Sequence, residues 1–97
     1  MLNEYIALNN DKIAYRIIDG EAVIVDLKES KLNVLNPVAT FILEHIDGQT
    51  QVKEIIEMIS EEFDVDYGTA KKDCIDFISK LKDEKIVTLS PDTGDFK

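Results

Sequence analysis

Residues 31–48 read KLNVLNPVATFILEHIDG, and within that stretch a strand pattern runs straight into a helix whose start and stop are both spelled out. From Lys31 to Leu35, Leu32 and Val34 fall on one side of an extended chain and Asn33 on the other, the period of two that a strand requires. Asn36-Pro37 then ends it. Asn is a good helix N-cap, and Pro is best tolerated at the first helical position, where its missing N–H costs nothing. Ala39, Ile42, Leu43 and Ile46 recur at helical spacing, and Gly48 after Asp47 can take the left-handed conformation that closes a helix.

Upstream, KIAYRII (12–18) and EAVIVDL (21–27) are rich in β-branched and aromatic residues and are separated only by Asp19-Gly20, a strong two-residue hairpin signal. With KES as a second tight turn, Lys31–Leu35 becomes the third strand of a β-meander. Downstream, a second helix is predicted from about Val52 to Phe63, with Val52, Ile55, Ile56, Ile59 and Phe63 on one face and an acidic exterior. The third helix, about Tyr67 to Asp83 with Asp66 as N-cap, carries two stripes. Ala70, Cys74, Phe77 and Leu81 form one, assigned to the core; Lys71, Ile75, Ile78 and Lys82 form the other. Periodicity alone leaves that second stripe open between a wider core contact and the wall of an exposed groove. KIVTLS (85–90) predicts a short final strand and PDTGDFK a loose polar tail, so the expected organisation is one domain, 1–90, with a flexible tail, 91–97.

Composition narrows the function. A chain of 97 residues, 44% apolar and 32% charged, holds one hydrophobic core. No apolar run approaches the ~20 residues of a membrane helix, and the N-terminus lacks the pattern of a secretion signal, so a cytoplasmic protein without membrane contact is expected. The formal net charge of −9 opposes nucleic acid, and the lysines of the third helix region are matched by as many carboxylates. His45 is the only histidine and is read as a surface residue of the first helix. Cys74, the only cysteine, is read as a core residue. With no Gly-rich phosphate loop and no metal-ligand cluster, no catalytic residue, cofactor or metal is expected.

LNPVATFILEHIDGQTQVKEIIEMISEEFDVD followed by DCIDFISKL resembles the PqqD-like family, small proteins named for pyrroloquinoline quinone biosynthesis. The resemblance covers nearly the whole chain. It is carried by Leu35-Asn36, Ala39, Ile42-Leu43, Asp47-Gly48, Val52 with Glu54-Ile55, Phe63-Asp64-Val65, and Asp73 through Leu81; the hairpin YRIIDGEAVIVDL also looks like the family's N-terminal sheet. Leu43 stands where many members have Trp. Gln51 stands where Ser or Thr usually caps the second helix, which weakens that cap unless Thr50 takes over.

The resemblance implies an α+β fold, a three-stranded antiparallel sheet packed on a three-helix bundle, winged helix-turn-helix-like. It also implies a recognition element for ribosomally made peptides. The leader segment of a precursor would add as a strand to the third strand, Lys31, Leu32, Asn33, Val34 and Leu35, and the bound peptide would be presented to a modifying enzyme such as a radical enzyme, protease or cyclase. Main-chain pairing supplies binding and side-chain pockets supply selectivity. Four or five backbone hydrogen bonds at roughly 0.5–1.5 kcal/mol each fall short of the about −8 kcal/mol of micromolar binding. Side chains must help, which favours the groove reading of Ile75 and Ile78, with Lys71 and Lys82 attracting acidic leader residues. Which parity of the third strand faces the peptide is open, and an unoccupied edge could pair with a second copy to give a homodimer. The rival readings are a winged-helix DNA-binding regulator, which should carry excess Arg and Lys on its third helix, and a carrier-type protein, for which no serine has the Asp-Ser-Leu setting.

Overall fold

A computed structural model describes residues 1–96. The elements in chain order are β1 (Tyr5–Leu8), β2 (Ile13–Ile18), β3 (Glu21–Asp26), β4 (Leu32–Val34), α1 (Pro37–Glu44), α2 (Val52–Glu62), α3 (Tyr67–Asp83) and β5 (Val87–Ser90), followed by a 3-10 turn at Thr93–Phe96. β2, β3 and β4 form the expected antiparallel meander, whose inner face brings Ile13, Ala22 and Ile24 into the core shared with the helices. Asp19 (φ 52°) and Gly20 (φ 81°) are both left-handed, as the tightest hairpin turn requires, so Asp-Gly joins β2 to β3 without splaying them. At the next corner Asp26 Oδ1 accepts the N–H groups of Lys28 and Glu29 at 2.9 and 3.0 Å, and Ser30 turns back with φ 56°.

The sequence pattern does not predict the second sheet. β1 pairs antiparallel with β5, Tyr5 opposite Ser90 and Leu8 opposite Val87, tying the two ends of the chain together. The segment leading into β1 also satisfies the start of α2. Glu4 C=O accepts from Val52 N–H and Leu2 C=O from Lys53 N–H, both at 3.0 Å, two of the orphan donors of a helix N-terminus. The expected weak cap at Gln51 is thereby reinforced: Glu54 Oε1 accepts Gln51 N–H at 3.1 Å and the Gln51 amide reaches Asn3 C=O at 2.9 Å. Thr50 does not take the capping role, its hydroxyl being held by Asp47 Oδ2 at 3.1 Å. The C-terminal stretch, read from sequence as a loose tail, folds through residue 96 into the 3-10 turn, with Phe96 half-buried beside Gly48.

α3 ends in a Schellman motif. Lys85 takes φ 62°, Ile86 N–H donates to Leu81 C=O at 2.8 Å and Lys85 N–H to Lys82 C=O at 2.9 Å, while Leu81 and Ile86 are both buried. The chain is thus turned sharply from α3 into β5. One core unites both sheets and all three helices, with Ile6, Ile24, Leu43, Ile56, Cys74 and Ile78 among its members.

Candidate functional site

The hydrogen bonds at the two ends of β4 settle which side of that strand is free. Leu35 N–H donates to Ala22 C=O and Asp26 N–H to Lys31 C=O, both at 2.8 Å. Since the ladder alternates, Lys31, Asn33 and Leu35 direct their backbone groups at β3, and Leu32 and Val34 direct theirs away from the sheet. β4 is the terminal strand of the order β2-β3-β4, so the N–H and C=O groups of Leu32 and Val34 form an open edge.

Side chains split the other way. Asn33 shares a face with its partner Ile24, which is buried beneath the helices, so Asn33 and Leu35 line the helix side. Leu32 and Val34 stand on the outer face, 63% and 61% exposed.

α3 runs alongside this edge, antiparallel to β4. Near Asn36 the cleft is lined by Val38, Ala39, Ile42 and Phe77 with Asp73 and Asp76 at its rim, a cavity of about 410 Å³. It narrows to about 80 Å³ between Asn33, Leu35, Phe77 and Leu81, and it opens again where Lys31, Asn33, Lys80 and Glu84 meet. From Asp73 to Glu84 a helix rises about 16 Å at 1.5 Å per residue, and from Lys31 to Asn36 a strand covers about the same at ~3.3 Å per residue. Wall and edge therefore match in length.

The wall is not the stripe expected from sequence. Ile78 is 0% exposed and belongs to the core, so it cannot line an exposed groove. At ~100° per residue, Lys71, Ile75, Ile78 and Lys82 lie roughly 100–160° around the helix from Phe77, and none of them lines the cleft beside β4. Lys71 and Lys82 are solvated and Ile75 is half-buried. From α3 and its C-cap, the residues that line the cleft are Asp73, Asp76, Phe77, Lys80, Leu81 and Glu84, Leu81 being buried at its floor. Phe77, assigned to the inner stripe, is half-buried at the boundary between core and cleft, whereas Ala70, Cys74 and Leu81 are core as expected. Its large ring beside two charged neighbours, Asp76 and Lys80, is a signal the sequence did carry.

The charges at the cleft are solvated. Lys31 pairs with Glu29 at 3.1 Å, and the hydrogen bond and charge of Glu29 hold its ammonium pKa above the usual lysine value. Lys12 Nζ donates to Glu84 C=O, latching the start of β2 to the end of α3. Burial pushes the Cys74 thiol up to about 12, which leaves it protonated and inert. His45 caps α1, half-buried, its Nδ1 2.8 Å from Phe41 C=O and its ring 4.3 Å from that of Phe41. Among the described residues no group of three or more His, Cys, Asp or Glu could hold a metal ion, and no helix is long and apolar enough to cross a membrane.

The chain is thus a winged-helix-like α+β domain whose terminal strand presents an open backbone edge next to a helix-walled cleft. Residues 21–87 match the family model described as Coenzyme PQQ synthesis protein D (PqqD), and the chain belongs to that family. No curated protein matches the chain. Among solved structures, one described as TbiB1 in Complex with the TbiA(beta) Leader Peptide is similar with TM-score 0.74 and 25% identity over 84% of this chain and 93% of that one. Another, Lasso peptide synthetase B1 complexed with the leader peptide, shares the fold with TM-score 0.74 at 18% identity, covering 86% of this chain and 96% of the other.

Proposed function

We propose that residues 1–90 form a non-catalytic, cytoplasmic recognition domain that captures the leader segment of a ribosomally made precursor peptide and presents it to a modifying enzyme. The observation that carries this reading is the free edge of β4: the four backbone groups of Leu32 and Val34 point outward along a cleft whose far wall is α3. Membership of the PqqD family and the likeness to two leader-peptide complexes support it. The captured segment pairs with Leu32 and Val34. Its helix-side side chains lie against Leu35 and Phe77 and reach toward the cavity bounded by Val38 and Ile42. The edge supplies up to four backbone hydrogen bonds, a few kcal/mol at roughly 0.5–1.5 each, so apolar burial in the cleft carries much of the affinity.

Isothermal titration against peptides encoded by short reading frames beside the gene tests the proposal. Binding of one such peptide, with tighter association of that peptide and its maturation enzyme in the protein's presence, is the expected result. Failure of every such peptide to bind, together with binding of duplex DNA at physiological salt, would transfer the assignment to a DNA-binding regulator. Self-pairing through the same edge competes with the peptide, so sedimentation should show any dimer dissolving as leader is added.

A further inference from the structure

We infer that the captured peptide is read on both faces of the added strand, so that its binding segment is a continuous apolar or β-branched run and not an alternating one. The inference rests on the strand-capture reading above and deepens it by naming the class of segment captured. On the helix side the cleft offers Leu35 and Phe77. On the opposite side, the outer face of the sheet carries two cross-strand rows that end at the open edge. In one, Ala14 stands opposite Val25 and Val25 opposite Leu32; in the other, Arg16 stands opposite Val23 and Val23 opposite Val34. Val23 and Val25 are half-buried, while Leu32 and Val34 are more than half exposed because the position beyond them is empty on this strand order.

An added strand fills that position. Its residues opposite Leu32 and Val34 form ladder pairs with them and project their side chains onto the same outer face, continuing both rows at the ~4.8 Å strand spacing. Its alternate residues project into the cleft. A peptide with polar side chains on one parity would leave either Leu32 and Val34 or Phe77 uncovered. A segment apolar at every position over about four residues covers both. This is the pattern of a strand buried on two faces. Exposed Leu and Val at adjacent outward positions of an edge are otherwise a liability, since edges are usually blunted by charge or proline.

The test selects a displayed library of random 12-residue peptides on the full chain, with counter-selection on Val34→Pro, which removes the edge donor. Enriched peptides are then titrated against Leu32→Ser/Val34→Ser and, separately, Phe77→Ser. Enrichment of a run of consecutive apolar or β-branched residues, with about tenfold weaker binding to the Leu32/Val34 double variant at an unchanged melting temperature, is expected. Both changed side chains are solvated, so the fold should tolerate them. Alternating polar and apolar enriched sequences, or full affinity of the double variant, overturns two-sided reading while leaving strand capture standing. If no peptide is enriched over the counter-selection, strand capture itself fails and two-sided reading falls with it.

Discussion

Ala22 donates its backbone N–H to Thr40 Oγ1 at 2.9 Å, while Ala22 C=O accepts from Leu35 N–H. The Thr40 hydroxyl, 3.5 Å from Leu35 C=O and almost wholly buried, thus takes the place of the last ladder bond between β3 and β4. This is how the strand can stop at Val34 and the helix start at Pro37 without orphaning a buried donor. Thr40→Val keeps the shape and removes the acceptor, and should cost about 1–3 kcal/mol in urea unfolding, the penalty of an unsatisfied buried group. Thr40→Ser should recover most of it. Equal stability of Thr40→Val and the native protein would show that the hydroxyl is dispensable.

The parity of β4 predicts opposite outcomes for two adjacent proline substitutions. Asn33 N–H points at β3, so Asn33→Pro breaks the ladder from within and should unfold the domain or lower its melting temperature steeply. Val34 N–H points away from the sheet, so Val34→Pro should melt close to the native temperature yet lose leader binding. Circular dichroism melts with peptide titration on both variants check the pair. The reverse assignment would mean that the edge faces the other way.

Rotation of α3 separates core from wall, and mutations should follow it. Ile78→Ala empties a fully buried position and should cost about 2–5 kcal/mol, whereas Ile75→Asp, at a half-buried position, should cost less and leave leader binding intact. Phe77→Ala should weaken leader binding about tenfold or more, through loss of the large, half-buried apolar side chain that α3 turns to the cleft. Equal leader affinity in Phe77→Ala and the native protein would remove Phe77 from the wall.

The same rotation explains what was legible in the sequence. The meander and three helices follow from local chemistry: Asp19-Gly20 suits a left-handed hairpin turn, Asn36-Pro37 and Asp66 cap, and apolar spacing sets each helix's faces. Spacing fixes the angles between residues on one helix and not how that helix is turned toward its neighbours. The stripe through Ile75 and Ile78 is therefore ambiguous in the sequence, and α3 as folded turns it about a third of a turn away from the cleft beside β4. β1 escaped for a different reason. Its partner β5 lies at the other end of the chain, and four residues, Tyr5–Leu8, carry too short a pattern to announce a strand without it. The parity of β4 depended on hydrogen bonds from Leu35 and Asp26, which side-chain alternation does not determine.

Acid should loosen α3 first at its cap. Asp66 Oδ1 accepts the Thr69 hydroxyl at 2.7 Å and Oδ2 the Thr69 N–H at 3.1 Å, and these two bonds, the hydroxyl's foremost, hold the Asp66 carboxyl below the ordinary aspartate value. Its pKa is lower folded than unfolded, so the unfolded chain binds the proton more readily. The carboxylate's contribution is complete above the unfolded value of 3.8 and is lost as pH falls through the lower folded one. Asp26, lowered by the N–H groups of Glu29 and Lys28, works in the same direction at the β3–β4 turn. Asp66→Asn keeps a capping oxygen without the charge, so it should melt near the native temperature at pH 4–7 and lose less stability than the native protein on further acidification. Asp66→Ala removes the cap at every pH and should lower the melting temperature by roughly 4–8 °C even at neutrality. Thermal melts of the three proteins from pH 7 to pH 2 separate the two effects. Parallel curves for the native protein and Asp66→Asn would show that the Asp66 charge does not contribute to the acid limb.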